Sequence, residues 1–281
     1  MKSITENDKK VLRELGLQIA AAAADPVNDE RREARRRIEN REKGRPTIFI
    51  YQEPWSELNQ DGELDLHCKD GFCRQIEMDM RQTLFKWRHY PGDMTVSAVS
   101  VQPYCINDSG FGIHEDVDVA RTDPASDVVS RHFHIQIKEE ADAAKIKAPL
   151  VSHDARRTEE CFQKRCEIFA DILQVQKSGC GSFWFAPWDE LVRWTGVQEV
   201  LMDMVLRPDY VNKLISHFVD CWIKRLDQYE AQSLLVAPPG QMTVSAAAQI
   251  FSEVSPAMHR EFALEHEARF LRRFGRVYYG C

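Results

Sequence analysis

The chain has 281 residues and a formal net charge of −7, so its charge gives no electrostatic reason to expect a nucleic-acid partner. Hydrophobic residues make up 43% and charged residues 29%, which is the balance of an ordinary globular protein rather than a disordered or membrane-embedded one. No apolar run reaches the length of a membrane span, and eight cysteines without a small disulfide framework indicate a reducing cytoplasm.

Two helices are predicted within residues 1–44. Leu12, Leu15 and Ile19 give the first helix a partly apolar face, Asp25-Pro26 interrupts the chain, and a highly charged helix follows. We expect this segment to form an N-terminal helical extension, separate from a domain that covers residues 45–281. It would pack either on that domain or on a second copy of the chain, which would make a homodimer.

From residue 45 onwards, predicted strands alternate with predicted helices. Residues 47–51 form the first expected strand, residues 71–89 an amphipathic helix, and residues 94–106 the second strand. A period-two pattern at residues 132–136 indicates a half-exposed strand, and a long helix is expected after His153-Asp154.

Residues 181–217 hold the clearest transition from strand to helix. An apolar run of strand length covers residues 182–185 and is ended by Pro187. Asp189 is predicted to cap a short helix that ends at Gly196. A longer helix is expected to begin at residues 207–209 (Arg-Pro-Asp).

The C-terminal part predicts two further strands, at residues 233–236 and 277–279, with a helix between them that has Pro256 in its first turn. The run of small residues at 244–249 has no clear assignment. About six strand–helix units can be counted, where a closed barrel has eight. Because parallel barrel strands need neighbours on both sides, a chain ending on a strand is expected to lack the C-terminal strands of its barrel.

Several short segments resemble, in this order, the uroporphyrinogen decarboxylase superfamily. The segments are a polar loop ending in Phe111-Gly112, the strand and Pro-containing loop at residues 182–189, LMDM at residues 201–204, RPDYV at residues 207–211, and the helix start Ser255-Pro256. The resemblance covers nearly all of residues 45–281 and is closest to the branch of corrinoid-dependent methyltransferases. It implies an α/β fold of the (β/α)8 TIM-barrel type.

The last three residues, Tyr279-Gly280-Cys281, stand where that branch has a His-x-Cys zinc motif. The resemblance therefore implies that Cys281 is a zinc ligand, with another cysteine supplied by a later strand. Thiolates at strand ends suit zinc, because they can hold the ion while an open position receives substrate. Tyr279 replaces the expected histidine. The alternative is that Cys281 is an ordinary buried cysteine.

Side chains just beyond the predicted strand ends are the other site candidates, because barrel active sites lie there. The predicted catalytic carboxylates are Asp189 and Glu253, acting as a general acid or as metal ligands. Substrate contacts are expected from Glu53, Tyr104, Asn107, Trp188 and Tyr279. Three of these residues also have simpler interpretations: Asp189 as a helix cap, Glu253 as a first-turn acid favoured by the helix dipole, and Trp188 as a core residue.

The resemblance implies a cytoplasmic methyltransferase that moves a methyl group between a small methylated substrate and the cobalt of a separate corrinoid protein. The substrate would be a methoxy compound or a methylamine, and zinc would act as a Lewis acid. The chain has no Asp-x-His-x-x-Gly string, so the corrinoid would come in trans. Acidic residues replace the arginines with which the decarboxylases bind tetrapyrrole carboxylates. Two alternatives stay open: a lyase acting on a smaller carboxylate, and a non-catalytic ligand-binding barrel.

Overall fold

The computed structural model describes residues 4–121 and 129–280, which form a mixed α/β protein. These residues divide into two compact units. The first unit contains residues 4–102 and 159–177, and the second contains residues 103–121, 129–158 and 178–280. Cys281, the predicted zinc ligand, lies outside the described residues. Within the described ranges, no helix combines the length and the apolar character needed to cross a membrane.

The helices of the described chain are α1 (Glu6–Ala23), α2 (Val27–Glu39), α3 (Trp55–Leu58), α4 (Gly71–His89), α5 (Ala155–Phe169), α6 (Pro187–Thr195), α7 (Val197–Leu206), α8 (Pro208–Ala231), α9 (Pro256–His259) and α10 (Glu265–Leu271). The strands are β1 (Val99–Pro103), β2 (Ile106–Asp108), β3 (Val117–Ala120), β4 (Ser130–Phe133), β5 (Val151–His153), β6 (Gln174–Ser178), β7 (Phe183–Phe185), β8 (Thr243–Ala247) and β9 (Arg276–Gly280). A π-helical segment, Arg260–Leu264, joins α9 to α10.

The first unit is built on α1 and α4, which pack against each other. Both predicted N-terminal helices are confirmed, as is the helix predicted at residues 71–89. Thr5 caps α1 by accepting a hydrogen bond from the Asp8 amide at 3.1 Å, and Asp70 caps α4. Leu12, Ile76 and Leu84 belong to the buried cluster of this unit. The strands β1 and β6 pair with each other.

The second unit contains a parallel sheet in the order β7-β8-β9. Its central strand, β8, is formed by the small residues for which the sequence predicts no strand. Val244 and Ala246 are buried there, because small side chains let a covering layer approach closely. Pro208 begins α8, as predicted. Gly196, with φ of 82°, ends α6, as predicted.

Four predictions from the sequence are wrong. The single strand predicted at residues 94–106 is two strands, β1 and β2, which pair with different partners, β6 and β5. Residues 47–51 form no strand, because the backbone of Ile48 is bonded to Asp93 instead of to a neighbouring strand: its N–H donates to Asp93 Oδ2 at 2.7 Å and its C=O accepts from the Asp93 amide at 2.8 Å. Residues 233–236 make only an isolated bridge, between Leu235 and Cys180. Asp189 is not the cap of its helix, because α6 begins at Pro187 and places Asp189 in the first turn.

The remaining described strands form small pairs. The pairs β2–β5 and β3–β4 are antiparallel, so they do not belong to a consecutive parallel series. The parallel sheet of β7, β8 and β9 places the ends of three strands along one edge. The closed barrel stays a prediction.

Candidate functional site at the carboxyl edge of the parallel sheet

The carboxyl ends of β7, β8 and β9 lie at one edge of their sheet, because the three strands are parallel. We call this edge, with the residues that follow each strand, the carboxyl edge. After β7 the chain enters the first turn of α6, which contains Asp189 and Glu190. After β8 comes a 3-10 turn, Gln249–Glu253, whose first amide donates to Asp189 Oδ1 at 3.3 Å. Tyr279 lies near the end of β9.

Glu267 of α10 is the most unusual acid of the site. Its exposure is 0%, and its Oε2 accepts a hydrogen bond from the Tyr279 hydroxyl at 2.8 Å. Its other carboxyl oxygen, Oε1, is buried without a hydrogen-bond partner among the described residues. Burial raises the pKa of Glu267 from 4.5 to about 7, against the lowering effect of the Tyr279 hydrogen bond, and the nearby charge of Asp189 raises it further. This carboxyl group therefore keeps a proton close to neutral pH.

Tyr279 connects the buried acid to the surface. Its hydroxyl contacts Glu267 and, on its other side, lies 2.9 Å from His259 Nε2. Tyr279 is 37% exposed, and the His259 ring packs against Phe251 with the ring centroids 5.3 Å apart. The chain His259–Tyr279–Glu267 therefore links a buried proton-holding group to groups that solvent can reach.

The π-helical segment Arg260–Leu264 lies between His259 and Glu267. Both of these side chains reach Tyr279, one from each side of the segment. Trp188 donates its indole N–H to the carbonyl of Phe262 within the segment at 3.1 Å, which ties the segment to the first turn of α6. Single π-helical turns inside α-helices are often found at functional sites.

A second proton-holding carboxyl group follows β7. Burial raises the pKa of Glu190 to about 7, while the charges of Arg225 and Arg193 lower it and that of Asp189 raises it. Burial also raises the pKa of Asp189 itself. Since Asp189 influences the pKa of both Glu190 and Glu267, the three acids form one interacting group. Such groups of carboxyls with displaced pKa values are characteristic of acid–base chemistry.

Three of the predicted site residues lie at the carboxyl edge together with Asp189. Tyr279 belongs to the hydrogen-bonded chain His259–Tyr279–Glu267. Glu253 is exposed and accepts a hydrogen bond from the Ser252 hydroxyl at 3.2 Å. Trp188 is completely buried, and its indole nitrogen is occupied by the contact with Phe262.

The other three predicted site residues have different surroundings. Tyr104 packs on the ring of His153 with the centroids 4.9 Å apart, and Asn107 pairs with Ser152 across β2 and β5. Glu53 belongs to the first unit, where its carboxylate pairs with Lys86. The structure therefore groups Asp189, Glu253, Trp188 and Tyr279 within the second unit, whereas Glu53 belongs to the first.

Sequence reasoning missed Glu190, His259 and Glu267. Glu190 follows directly after the predicted Asp189. The sequence does contain a pattern that predicts a buried position for Glu267. The apolar residues Ala263, Phe270 and Leu271 stand at positions i−4, i+3 and i+4 from it, and all three are buried. A carboxyl group on the apolar face of a helix marks a buried acid.

Among residues 4–121 and 129–280, no three His, Cys, Asp or Glu side chains are grouped so that they could hold a metal ion. The described side chains thus provide no ligand set for the zinc that the resemblance implies, and we assign no reaction step to zinc. No protein-family model matches this chain, and neither curated proteins nor solved structures match it. The residues of the carboxyl edge are therefore the basis of the functional assignment.

Proposed function

We propose that this protein is a cytoplasmic methyltransferase that moves a methyl group from a small methylated substrate to the cobalt of a separate corrinoid protein. In this proposal the parallel strands belong to a (β/α)8 barrel, and the carboxyl edge is the active site. The observation that carries the proposal is the hydrogen-bonded chain of Glu267, Tyr279 and His259, in which a buried acid with a pKa of about 7 contacts a partly exposed hydroxyl.

Demethylation of an ether requires a proton. When the methyl–oxygen bond breaks, its electron pair stays on the oxygen, and protonation of that oxygen makes it a better leaving group. The corrinoid of the partner protein would accept the methyl group. Tyr279 would give its hydroxyl proton to the departing oxygen, and Glu267 would return a proton to Tyr279 through the carboxyl oxygen that faces it.

The proton balance of this step closes within the chain. Glu267 ends as a carboxylate, the substrate leaves as an alcohol or a phenol, and Tyr279 regains its hydroxyl proton. His259, at 2.9 Å from Tyr279, is the next group towards solvent and offers a route for reprotonation. An acid with a pKa near the working pH is suited to this task, because it is protonated when needed and still gives up its proton readily.

Zinc bound through Cys281 remains part of the proposal because the family resemblance implies it. None of the proton transfers described above depends on the metal. Metal analysis of the purified protein tests this part separately: stoichiometric zinc that is lost in Cys281→Ala would support it, and equal zinc content in both proteins would contradict it.

The main experiment combines the purified protein, a reduced corrinoid protein and a panel of methoxyaromatics and methylamines, with the cobalt(I) spectrum as the readout. We expect Glu267→Gln and Tyr279→Phe to slow the transfer by about 10²-fold or more, because each removes a proton donor. Glu265→Gln is the matched control, since it replaces an exposed acid of the same helix. If no donor changes the cobalt spectrum, methyl transfer is the wrong reaction.

The pH dependence gives a second readout of the same step. Because Glu267 must be protonated, the wild-type rate is expected to fall as the pH rises through about 7. The residual rate of Glu267→Gln should lack this decline. If the rate declined at the same pH in the wild type and in Glu267→Gln, the decline would come from the titration of another group.

The second candidate function is a lyase that acts on a small carboxylate. The same observation favours it, because decarboxylation leaves a carbanion that the Glu267–Tyr279 pair could protonate. Release of carbon dioxide without any corrinoid protein would identify this reaction. An intact protein that binds ligands but supports neither reaction would be a non-catalytic barrel.

A further inference from the structure

Residues 47–51 of the first unit form an extended segment. The rings of Phe49 and Tyr51 stack with their centroids 6.4 Å apart and an interplanar angle of 23°. This separation is close to the roughly 6.6 Å that a strand advances over two residues, so both rings lie on one face of an extended backbone. The Arg35 guanidinium lies 5.6 Å from the centre of the Phe49 ring and packs this face against α2.

One edge of the extended backbone is closed by other parts of the same unit. The N–H and C=O of Ile48 are both bonded to Asp93, and the C=O of Ile50 accepts a hydrogen bond from Lys86 Nζ at 2.8 Å. Polar backbone groups two residues apart face the same edge of an extended chain, so these bonds occupy a single edge. Gly92 lies against this edge, where a Cβ atom would be 2.7 Å from the Ile48 carbonyl oxygen.

The opposite edge of the segment is open. It presents the backbone N–H and C=O groups of Thr47, Phe49 and Tyr51, which make no hydrogen bond to any other residue that the structure describes. Strand edges that stay unpaired usually carry lysine, proline or an inward charge, and the sequence TIFIY has none of these. Ile48 is 62% exposed, Ile50 40% and Tyr51 77%. The segment therefore offers strand-forming residues and free backbone groups to a second strand.

The three open residues match a second copy of the same segment. In an antiparallel pair with a two-fold axis at Phe49, Phe49 opposes itself and Thr47 opposes Tyr51 of the second copy. All of these pairs are of the hydrogen-bonded type, so two bonds in each pair use every open N–H and C=O group. An axis at Ile48 or Ile50 would pair only two of the three open residues with one another.

The same register brings the exposed isoleucines together. Ile48 lies opposite Ile50 of the second copy, in a pair of the type whose Cα atoms approach to about 4.5 Å. The two symmetry-related pairs form one apolar cluster on the face opposite Phe49. At the ends of the paired segments Arg45 lies opposite Glu53 of the second copy, so the register opposes no like charges there.

We propose that this protein forms a homodimer in which residues 47–51 of two copies pair as antiparallel strands about a two-fold axis at Phe49. The interface follows directly after α2, whereas α1 packs on α4 of its own chain. All the groups involved belong to the first unit, so the dimer does not depend on the proposed methyl transfer.

Sedimentation of the full chain at low and high micromolar concentrations measures the dimer. We expect a reversible monomer–dimer equilibrium. Ile50→Lys should raise the dissociation constant by about tenfold, because it removes an isoleucine contact from both symmetric pairs. Ile38→Lys is the matched control, since Ile38 is also 40% exposed but lies on α2, and it should leave the dissociation constant unchanged.

A backbone variant tests the hydrogen bonds of the open edge. Tyr51→Pro removes an N–H that bonds to no described residue of its own chain, so the monomer keeps its fold while the dimer loses one bond in each of two pairs. We expect the dissociation constant to rise by about tenfold or more. Tyr51→Phe keeps the N–H and should keep the dimer. Circular dichroism verifies that each variant is folded.

Cysteine cross-linking tests the register. Phe49→Cys should form a disulfide between two copies under mild oxidation, because the Cα atoms of a hydrogen-bonded pair are about 5.5 Å apart. Ile48→Cys should not link to itself, since the two positions are about 8 Å apart, but a mixture of Ile48→Cys and Ile50→Cys should cross-link. The wild type, with its eight cysteines, gives the background, and mass spectrometry identifies the linked peptides.

Three results would overturn the dimer or its register. The first is a monomer at every concentration. The second is a dimer with the wild-type dissociation constant in both Ile50→Lys and Tyr51→Pro. The third is cross-linking of Ile48→Cys with itself and not of Phe49→Cys. A monomer that instead binds an added extended peptide, and loses this binding in Tyr51→Pro, would assign the open edge to another protein and also overturn the dimer.

Discussion

Each of the two compact units buries a glutamate at 0% exposure, and the pKa values of the two side chains are displaced in opposite directions. Glu77 of the first unit accepts hydrogen bonds from the amides of His67 and Cys68, at 2.9 and 2.7 Å, and from Arg81 Nε at 2.8 Å. Burial raises the pKa of Glu77, but these donors outweigh it and leave the pKa below its ordinary value. Among the described residues, Glu267 of the second unit has one hydrogen-bond donor, Tyr279, and burial raises its pKa to about 7.

The difference shows that burial alone does not determine the charge of an acid. A carboxylate surrounded by donors stays ionised and fastens the segments that supply them, as Glu77 does for the loop before α4. A carboxyl group with one donor and an unpartnered oxygen is more stable when protonated. Glu77 therefore has a structural role, whereas Glu267 is available to exchange a proton.

The largest expected change in stability follows from removing the carboxylate of Glu77. Glu77→Ala leaves Arg81 and two loop amides without their buried partner, so the free energy of unfolding should fall by roughly 3–5 kcal/mol. Urea unfolding at pH 7, followed by circular dichroism, measures it. Asp79→Asn, at an exposed position of the same helix, should change stability by less than about 0.5 kcal/mol. Similar losses in both variants would remove the distinction between the two glutamates.

The next effect concerns Glu267 and depends on pH. Because the folded pKa of Glu267 lies above the ordinary 4.5, its stabilising contribution is complete below pH 4.5 and is lost as the pH rises through about 7. This loss corresponds to roughly 3 kcal/mol. Glu267→Gln should therefore be more stable than the wild type at pH 8, by up to about that amount.

Unfolding free energies measured from pH 4 to pH 8 check this prediction. The decline in the free energy of unfolding between pH 4.5 and 7 should be smaller in Glu267→Gln, and the part that remains belongs to Glu190 and Asp189, whose pKa values are displaced in the same direction. Glu77 should have the opposite dependence, with its contribution lost as the pH falls below about 4.5, because its folded pKa is lowered. The same pH dependence of stability in the wild type and in Glu267→Gln would count against the assignment.

The smallest changes in the free energy of unfolding are expected from variants of the helix caps of the two units. Asp70 caps α4 by accepting from the amides of Phe72 and Cys73, at 3.0 and 3.2 Å, whereas Ser255 caps α9 through the Met258 amide alone, at 3.2 Å. Asp70→Ala should cost about 1–2 kcal/mol and Ser255→Ala about 0.5–1 kcal/mol. Thermal unfolding of the two variants measures the difference, and a larger loss in Ser255→Ala would contradict this order.

The sequence predicts the helices well because their signals are local. The helix α4 has both apolar periodicity and a capping aspartate, and α8 begins at a proline that fits a first turn. The strand β8 has no such local signal, because its small residues form a strand through packing against the strands and helices that cover them. The false strand at residues 47–51 fails for a similar reason: its backbone partner is the side chain of Asp93, which lies far away in sequence.

The site was predictable to the same extent. Asp189 and Tyr279 lie at or just after the ends of predicted strands, so their positions along the sequence are enough to predict them as site residues. Glu267 joins them only because a helix returns to the sheet edge and presents its apolar face there, which is a property of tertiary packing. The contact of Trp188 with the π-helical segment likewise depends on two regions that are far apart in the sequence.

The protonation state of Glu267 is the central claim, and infrared difference spectroscopy measures it directly. The carbonyl stretch of a protonated carboxyl group, isolated by subtracting the spectrum of Glu267→Gln, should be present at pH 5.5 and disappear with a midpoint near pH 7. A midpoint at or below 4.5 would show that Glu267 is ionised at neutral pH, like Glu77, and would contradict its role as a proton donor.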